Sequence, residues 1–442
     1  MQFTRLSKLQ KDRMLPTTVK NQVRKKLILG LKPLRVSKGN LISAESIRLL
    51  LEQKFEIPVN TSKKLPSLIG DTSIADFFLA RIADLSDQAL KFDSEAPEVA
   101  LSSLSKFEDT KQLADNLIED LCTLPWMYVC YIPLPFLASC GFPHHIKLRK
   151  DLSLVVPNDD ELADIRTPFS RRAKSLYEAL NGRLVTRDCL DSKYFCLKVE
   201  LSGLVTDHLS TPANERSLAI AKSFMGIGLV LGMFELSRHN RAFSPTALGD
   251  PLVFRKLGDG LYFIRELQLI REEADTFFRV EISPKLESPT LEEKQGNSYS
   301  IDTCLTLLIA ALNSKDKSVQ LASRWYFEGV CSTSRTLKII QFATCLEVLL
   351  GDPKKRDGVT KNLEQSCRRL LGSTPEEQEV IAQWFLEAYD IRSRLLHSGE
   401  EMEGEELHRG VYIFQLLAGK VIAKKLALFL KGVQGRQVEM PT

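Results

Sequence analysis

The sequence predicts an α+β chain of several domains, mainly α-helical, that ends in an all-α bundle. Its 442 residues are enough for roughly three domains of about 150 residues each. Apolar residues make up 44% and charged residues 26%, which is the usual balance of a globular protein. The hydrophobic spacing changes from helical to strand-like and back to helical. These changes predict divisions at 1–120, 121–285 and 300–432.

The first division is predicted to be mainly helical, with a strongly basic start. Residues 1–40 contain eleven Lys or Arg and one acid, Asp12, so they carry +10; with a total of +4, the other residues sum to −6. Within 40–55, Ser43 is placed to cap a helix, and 74–90 repeats the same apolar spacing. The basic segment is either a solvated, partly helical face or a nucleic-acid contact. Aromatic residues do not interleave with its charges, which favours the solvated face.

The second division is predicted to be a mixed α+β domain, suited to a sensor or regulatory role. Runs rich in β-branched and aromatic residues predict strands at 126–137, 146–157 and 194–205. Helical spacing predicts helices at 168–180 and 218–237.

The apolar helix predicted at 218–237 needs comparison with a membrane span. Charged residues leave only about a dozen uncharged positions in it, whereas a spanning helix needs about 20. We therefore expect a buried helix and no membrane partner. Its glycines, Gly226, Gly228 and Gly232, are expected to let another element approach closely.

No pattern predicts a metal or another cofactor. Nine cysteines are scattered without a C-x-x-C pair. The adjacent His144 and His145 would point to opposite sides of a strand, and the acids Asp159, Asp160 and Glu161 are placed to cap a helix. No secretory signal is recognised near the start, so we expect a cytoplasmic protein with reduced, mostly buried thiols.

The third division is predicted to be a helical bundle. Residues 283–300 have the composition of a linker. After them, helical spacing predicts helices at 301–314, 319–331, 335–351, 358–372, 375–399 and 405–432. Short polar breaks join these helices, so neighbours are expected to run roughly antiparallel.

The helix predicted at 375–399 carries an arginine within its apolar face. Pro375 suits its first turn and Gly399 its end. The apolar face is formed by Ile381, Trp384, Phe385, Ala388, Ile391, Leu395 and Leu396. Arg392 lies in the middle of this face, where a guanidinium must find a partner or reach water.

Arg392 and His397 allow a structural and a functional interpretation. In the structural one, Arg392 pairs with an acid such as Glu347, and His397 caps the end of the helix. In an ideal helix five positions separate the two by about 140°, whereas Arg394 lies only about 60° from the histidine. A shared site therefore needs a distorted helix end or a second copy of the chain.

The segment "YDIRSRLLHSG" resembles the R-x-x-x-x-H signature of HEPN-superfamily ribonucleases, and in particular the Apea-like HEPN group. The upstream segment "RWYFEGVCSTSRTLKIIQFATCLEVLLGD" is similar to earlier helices of that group. The likeness covers about 300–432, under a third of the chain. The chain departs from a basic cleft at 400–406, "EEMEGEE", which contains five glutamates.

The resemblance implies an endoribonuclease that cuts RNA without metal, as a homodimer whose two motifs meet at the interface. Arg392 and His397 would then be catalytic, with Arg394, Glu347 and Tyr389 in phosphate-binding or supporting positions. The residue types agree with this chemistry, because histidine exchanges protons near neutral pH and arginine offers a fixed cation to a phosphate. The resemblance also points to a regulated toxin in bacterial anti-phage defence by abortive infection. Transfer RNA is one candidate substrate, and a phage-derived molecule or a nucleotide is a candidate trigger at the first two divisions.

Two other functions stay open at this point. One is a non-catalytic bundle that dimerises or binds a nucleotide or partner, which the glutamates of 400–406 and the apolar setting of Arg392 favour. The other is a DNA-binding regulator led by the basic start, although no recognition helix is recognised there.

Overall fold

A computed structural model of the chain describes residues 15–38, 41–55, 68–69, 73–89, 95–105, 107–137, 143–157, 194–205, 211–236, 251–258, 260–266, 280–283, 301–351, 358–398 and 404–434. This part of the chain is mostly helical, with a smaller amount of antiparallel sheet, as the sequence predicts. The helix predicted at 168–180, the acids 159–161 and nearly all of the 283–300 linker lie outside the described residues.

The first division contains four described helices and three short strands. They are α1 (Thr17–Leu31), β1 (Arg35–Ser37), β2 (Leu41–Ile42), α2 (Ala44–Leu51), α3 (Ile74–Ala89), β3 (Val99–Ala100) and α4 (Thr110–Cys122). The three strands form an antiparallel sheet in the order β2-β1-β3, which the sequence did not predict because strands of two or three residues are too short to show alternation. Ser43 caps α2 as predicted, since its side chain accepts from the backbone of Ser46.

A six-stranded antiparallel sheet forms the middle of the chain. Its strands are β4 (Trp126–Leu137), β5 (His145–Arg149), β6 (Leu152–Val155), β7 (Tyr194–Gly203), β9 (Leu252–Leu257) and β10 (Gly260–Glu266), in the order β10-β9-β4-β7-β6-β5. A separate pair joins β8 (Phe234–Leu236) to β11 (Val280–Ile282). The helix α5 (Pro212–Val230) packs against β7.

Two predictions for this region need correction. The run 146–157 is two strands, β5 and β6, joined by a turn across which Arg149 and Asp151 form an ion pair at 2.5 Å. The helix predicted at 218–237 begins earlier, where Thr211 caps it, and ends at Val230.

Gly232 follows the end of α5 with a φ of 70°. A Cβ at this position would meet none of the described residues within 4 Å, so the close approach expected at this glycine is not found among them. The residue allows the left-handed turn that leads into β8.

The third division folds as a bundle whose six helices closely match the prediction. They are α6 (Ile301–Asn313), α7 (Ser318–Cys331), α8 (Arg335–Leu350), α9 (Val359–Leu371), α10 (Pro375–Ser393) and α11 (Gly404–Gln434). The end of α10 differs, because a π-helical turn over Arg394–Ser398 replaces its last α-helical turn.

The helix α5 connects the sheet to the bundle. A Cβ on Gly226 would lie 2.0 Å from the backbone oxygen of Ser323 in α7, so only glycine permits this spacing. A Cβ on Gly228 would lie 2.0 Å from the ring of Phe234, which confirms the close approach expected there. Most buried apolar side chains of all three divisions form one contiguous cluster. A second, smaller cluster belongs to the six-stranded sheet and contains Val129, Tyr131, Val155, Cys196, Leu252, Phe254 and Leu261. The division boundaries stay predictions.

Other expectations concern thiols, metals and membranes. The seven cysteines that the structure describes are buried, as the sequence predicted for most of the thiols. Among the described residues, no cluster of His, Cys, Asp or Glu has the arrangement of a metal site. Within the same ranges no helix has the length and apolar character needed to cross a bilayer.

Candidate functional site

The helix α10 and the π-helical turn that follows it carry Tyr389, Arg392, Arg394 and His397. The first turn of α10 fixes the opposite end of the helix. Thr374 accepts a hydrogen bond from the backbone of Glu377 over 3.2 Å, and the Glu377 carboxylate accepts from the backbone of Ser373 over 2.7 Å. This reciprocal capping holds the start of the helix, and Pro375 occupies its first turn as predicted.

The buried face of α10 packs against α9 and α11. Phe385, Ala388 and Ile391 are buried, whereas Leu396 keeps 43% of its surface exposed, so its predicted place on the apolar face is wrong. Leu396 lies in the π-helical turn, where the helical phase that places the other apolar residues no longer holds. A Cβ on Gly410 of α11 would lie 3.1 Å from Ile391, which shows how closely α11 approaches this end of α10.

Arg392, Glu347 and Tyr389 come together on one carboxylate oxygen. The Nη2 of Arg392 donates to Oε1 of Glu347 over 3.1 Å. The hydroxyl of Tyr389 donates to the same oxygen over 3.4 Å. The guanidinium carbon of Arg392 lies 6.0 Å from the centre of the Tyr389 ring. The pairing of Arg392 with Glu347 that the sequence predicted is confirmed.

Aromatic rings support this cluster from the core side. Tyr389 stacks on Phe385 with ring centres 4.4 Å apart, and it lies 5.4 Å from the ring of Phe414 in α11. Burial raises the pKa of the Tyr389 hydroxyl, and the negative charge of Glu347 raises it further, against a smaller lowering effect of Arg392. Tyr389 is therefore a neutral donor to Glu347 at physiological pH.

Arg392 keeps hydrogen-bonding capacity that Glu347 does not use. Its side chain is 26% exposed, and that of Glu347 is 35% exposed. The Nε of Arg392 is buried and has no hydrogen-bond partner among the described residues. A guanidinium has five donors, so a single carboxylate leaves several for an anionic ligand.

Arg394 differs because its guanidinium is held by two carboxylates. Its Nε donates to Asp390 over 3.0 Å, and its Nη2 contacts Glu406 at the start of α11. Glu406 therefore occupies the donors of Arg394 that a phosphate would otherwise bind. The contact makes Arg394 a link between α10 and α11. Sequence reasoning missed both partners. The spacing of four between Asp390 and Arg394 is a helical ion-pair signal that could have found the first.

The π-helical turn changes the angle between Arg392 and His397. Its residues, Arg394–Ser398, follow Arg392 directly. A π-helix forms i to i+5 hydrogen bonds, so each residue in it advances by less than the 100° of an α-helix. The Cα positions of Arg392 and His397 are thus separated by less than the 140° of an ideal helix. The side chain of His397 lies outside the part of the chain that the structure describes.

No protein-family model matches this chain, and neither a curated protein nor a solved structure matches it. An arginine that is 26% exposed and has spare donors lies five positions before a histidine, next to a neutral tyrosine and a carboxylate. These groups are able to bind an anionic ester and to move a proton.

Proposed function

We propose that the chain is a metal-independent endoribonuclease of the HEPN type, with Arg392 and His397 as its catalytic residues. The observation that carries the proposal is the π-helical turn at the end of α10. Arginine and histidine at this spacing share a site only if the helix end is distorted or two chains combine, and this helix end is distorted. Single turns of this kind occur frequently at functional sites.

Arg392 would stabilise the negative charge that develops on the phosphate in the transition state. Its guanidinium stays protonated at all physiological pH values. Glu347 holds one edge of it through the 3.1 Å bond to Oε1, and Tyr389 holds that carboxylate by donating to the same oxygen over 3.4 Å. An arginine held in this way loses little conformational entropy when the substrate arrives, which favours catalysis by a preformed charge.

His397 would move the protons. The 2′-hydroxyl of RNA forms a bond to phosphorus, its proton passes to the histidine, and the bond from phosphorus to the 5′-oxygen breaks. The leaving 5′-oxygen takes up the proton that the histidine has accepted, so the histidine returns to its starting state. The products are a 2′,3′-cyclic phosphate and a 5′-hydroxyl, and DNA is not a substrate because it lacks the 2′-hydroxyl. In a homodimer, the two motifs would form a composite site.

Expression of variants in a bacterial host tests this proposal. Wild type is compared with Arg392→Ala and His397→Ala. Matched controls are Arg369→Ala and His408→Ala, which change the same residue types at exposed positions on α9 and α11. Wild type and both controls should degrade RNA, leave cyclic-phosphate ends and arrest growth, and the purified protein should keep its activity in EDTA. Equal RNA integrity and equal growth in all five strains, both without phage and during phage infection, would contradict the catalytic roles.

A second function is supported by the contacts of Arg392. It is already paired with Glu347 beside a stacked aromatic core, and such a cluster also suits a non-catalytic bundle that dimerises or binds a partner. For that function, Arg392→Ala should change the oligomeric state in size-exclusion chromatography while wild type never cleaves RNA. Cleavage by wild type with an unchanged oligomeric state in Arg392→Ala favours the nuclease.

The wider setting completes the proposal. A nuclease that attacks host RNA must be held inactive, and the first two divisions would provide a site for a phage-derived or nucleotide trigger. We place such a protein in the cytoplasm, as a regulated toxin in abortive-infection defence, with tRNA as one candidate substrate.

A further inference from the structure

The helix α1 presents an outward face without acidic residues. Its buried residues include Val19, Val23 and Leu27, which lie toward α4 and the core. The exposed residues lie within about 140° of one another at 100° per residue. They are Thr17, Thr18, Asn21, Gln22, Lys25, Leu29 and, just beyond the helix, Lys32.

The arginines near α1 that approach neighbouring elements are neutralised. Arg24 forms an ion pair with Asp115 of α4 at 2.5 Å. Arg35 forms one with Glu98 at 2.8 Å. These contacts attach α1 to α4 and β1 to the residue before β3. They also neutralise the carboxylates of Asp115 and Glu98.

The acids on the adjacent helix α2 are also paired within that helix. Arg48 binds Glu45 at 2.6 Å and Glu52 at 2.7 Å. In contrast, Lys25 and Lys32 have no ion-pair partner in the described ranges of the chain. Lys25 and Lys32 thus give the outward face of α1 two positive charges.

We propose that this outward face binds the phosphate backbone of RNA and recruits it to the protein. The inference rests on the proposed function, because it gives the proposed nuclease a contact for its substrate away from Arg392. From Thr18 to Lys32 the face extends about 21 Å at 1.5 Å per residue, which spans several successive phosphates. Amide, hydroxyl and ammonium groups all donate hydrogen bonds to phosphate, so binding is independent of base sequence.

An anionic membrane and an acidic protein are the competing partners for a basic face. Membrane-surface helices bury a continuous apolar face that includes Trp, Phe or Leu. Here the exposed face contains one large apolar residue, Leu29, which is 61% exposed. The other positions are hydrogen-bond donors, which favours a ligand with many acceptors, such as a nucleic acid.

The salt dependence of RNA binding tests the inference. Binding of a short, fluorescently labelled RNA of mixed sequence is followed by anisotropy between about 50 and 200 mM salt. All proteins carry Arg392→Ala, so the RNA stays intact. The variant Lys25→Gln/Lys32→Gln is compared with Lys420→Gln/Lys424→Gln, which removes the same charge from exposed positions on α11. Glutamine preserves helix propensity and length, and circular dichroism verifies that each variant is folded.

The α1 variant should bind more weakly, and its plot of log affinity against log salt should be shallower by about 1.4, since each lost phosphate contact removes about 0.7. The α11 variant should match the parent protein. Equal slopes for the two double variants overturn the inference, as does an α1-dependent affinity for phosphatidylserine vesicles without any for RNA. RNA binding that depends on α1, together with a wild-type protein that never cleaves RNA, would support this inference while refuting the nuclease.

Discussion

Replacing Gly226 with alanine tests how closely the sheet-associated helix α5 is packed against the bundle. The new Cβ would lie 2.0 Å from the backbone oxygen of Ser323 and 2.7 Å from its backbone carbon. Cβ contacts below 3.0 Å essentially never occur, so the two helices must separate by about 3.0 − 2.0 = 1.0 Å. Because the obstacle is backbone, no side-chain rotation relieves it.

The expected energy combines a gain and two costs. Alanine in place of glycine favours a helix by up to about 1 kcal/mol. Forcing one extra carbon into a packed interface costs about 1 to 3 kcal/mol. Separation also weakens the hydrogen bond from Ser223 to the backbone of Gln320, now 3.0 Å, which is worth about 1 kcal/mol. The free energy of unfolding should therefore fall by roughly 2 kcal/mol.

Urea unfolding followed by far-ultraviolet circular dichroism measures this change. The matched control is Gly258→Ala, because a Cβ at Gly258 meets nothing within 4 Å and its φ is not in the left-handed region. The control should stay within about 0.5 kcal/mol of wild type. The reasoning is refuted if Gly226→Ala unfolds at the same urea concentration as the control with an unchanged slope.

Two further predictions concern the candidate site. A double-mutant cycle with Glu347→Gln and Arg392→Ala should give a coupling energy of about 0.5 to 1 kcal/mol in urea unfolding. The energy is small because the side chains of Glu347 and Arg392 remain 35% and 26% exposed. A coupling energy of zero would mean that the ion pair is not formed in solution. Burial and the charge of Glu347 raise the pKa of the Tyr389 hydroxyl. Above a pH of about 10 the unfolded chain therefore loses this proton while the folded protein keeps it. The free energy of unfolding consequently falls as the pH rises beyond that value. Tyr389→Phe should lose less stability between neutral pH and that alkaline range, and equal losses in both proteins would contradict the raised pKa.

Regular elements with a complete local signal were predictable from the sequence. The strand β4 and the helices of the bundle agree with prediction because alternation, helical spacing and caps such as Thr374 act within each segment. The strands β1, β2 and β3 were missed because they are held by pairing between distant segments, for example Val36 with Val99. Such pairing leaves no periodic signal in two or three residues.

The candidate site was only partly predictable for a similar reason. The need of Arg392 for an acid follows from its place on an apolar face, and Glu347 is that acid. The pairing of Arg394 with Glu406 depends on how α11 begins beside the end of α10, which the spacing within one helix does not specify. The π-helical turn was also outside the reach of the pattern, which assumes 100° per residue throughout.

The middle of the chain is joined to the site through packed helices. The helix α5 packs on α7 through Gly226, and α7 packs on α8, which carries Glu347. The ion pair of Lys222 in α5 with Glu328 in α7, at 3.1 Å, adds a polar contact to the first of these interfaces. The helix α5 and the carboxylate that holds Arg392 are thus connected through two packed helix interfaces.

The two arginines of the motif are electrostatically different, and this difference identifies the one that can take a ligand. Arg394 has two carboxylate partners, Asp390 and Glu406, so a phosphate would have to compete with both. Arg392 has one carboxylate partner, bound through Nη2, and its side chain is 26% exposed, so the remaining donors of Nη1 and Nη2 are those that a ligand would use. A phosphate at Arg392 would add bonds without breaking an existing pair, because the guanidinium has donors to spare. The charge distribution of the folded chain thus favours Arg392, the same arginine that the five-residue spacing to His397 selects. The two indications are independent, because the spacing does not depend on the positions of Asp390, Glu406 or Glu347.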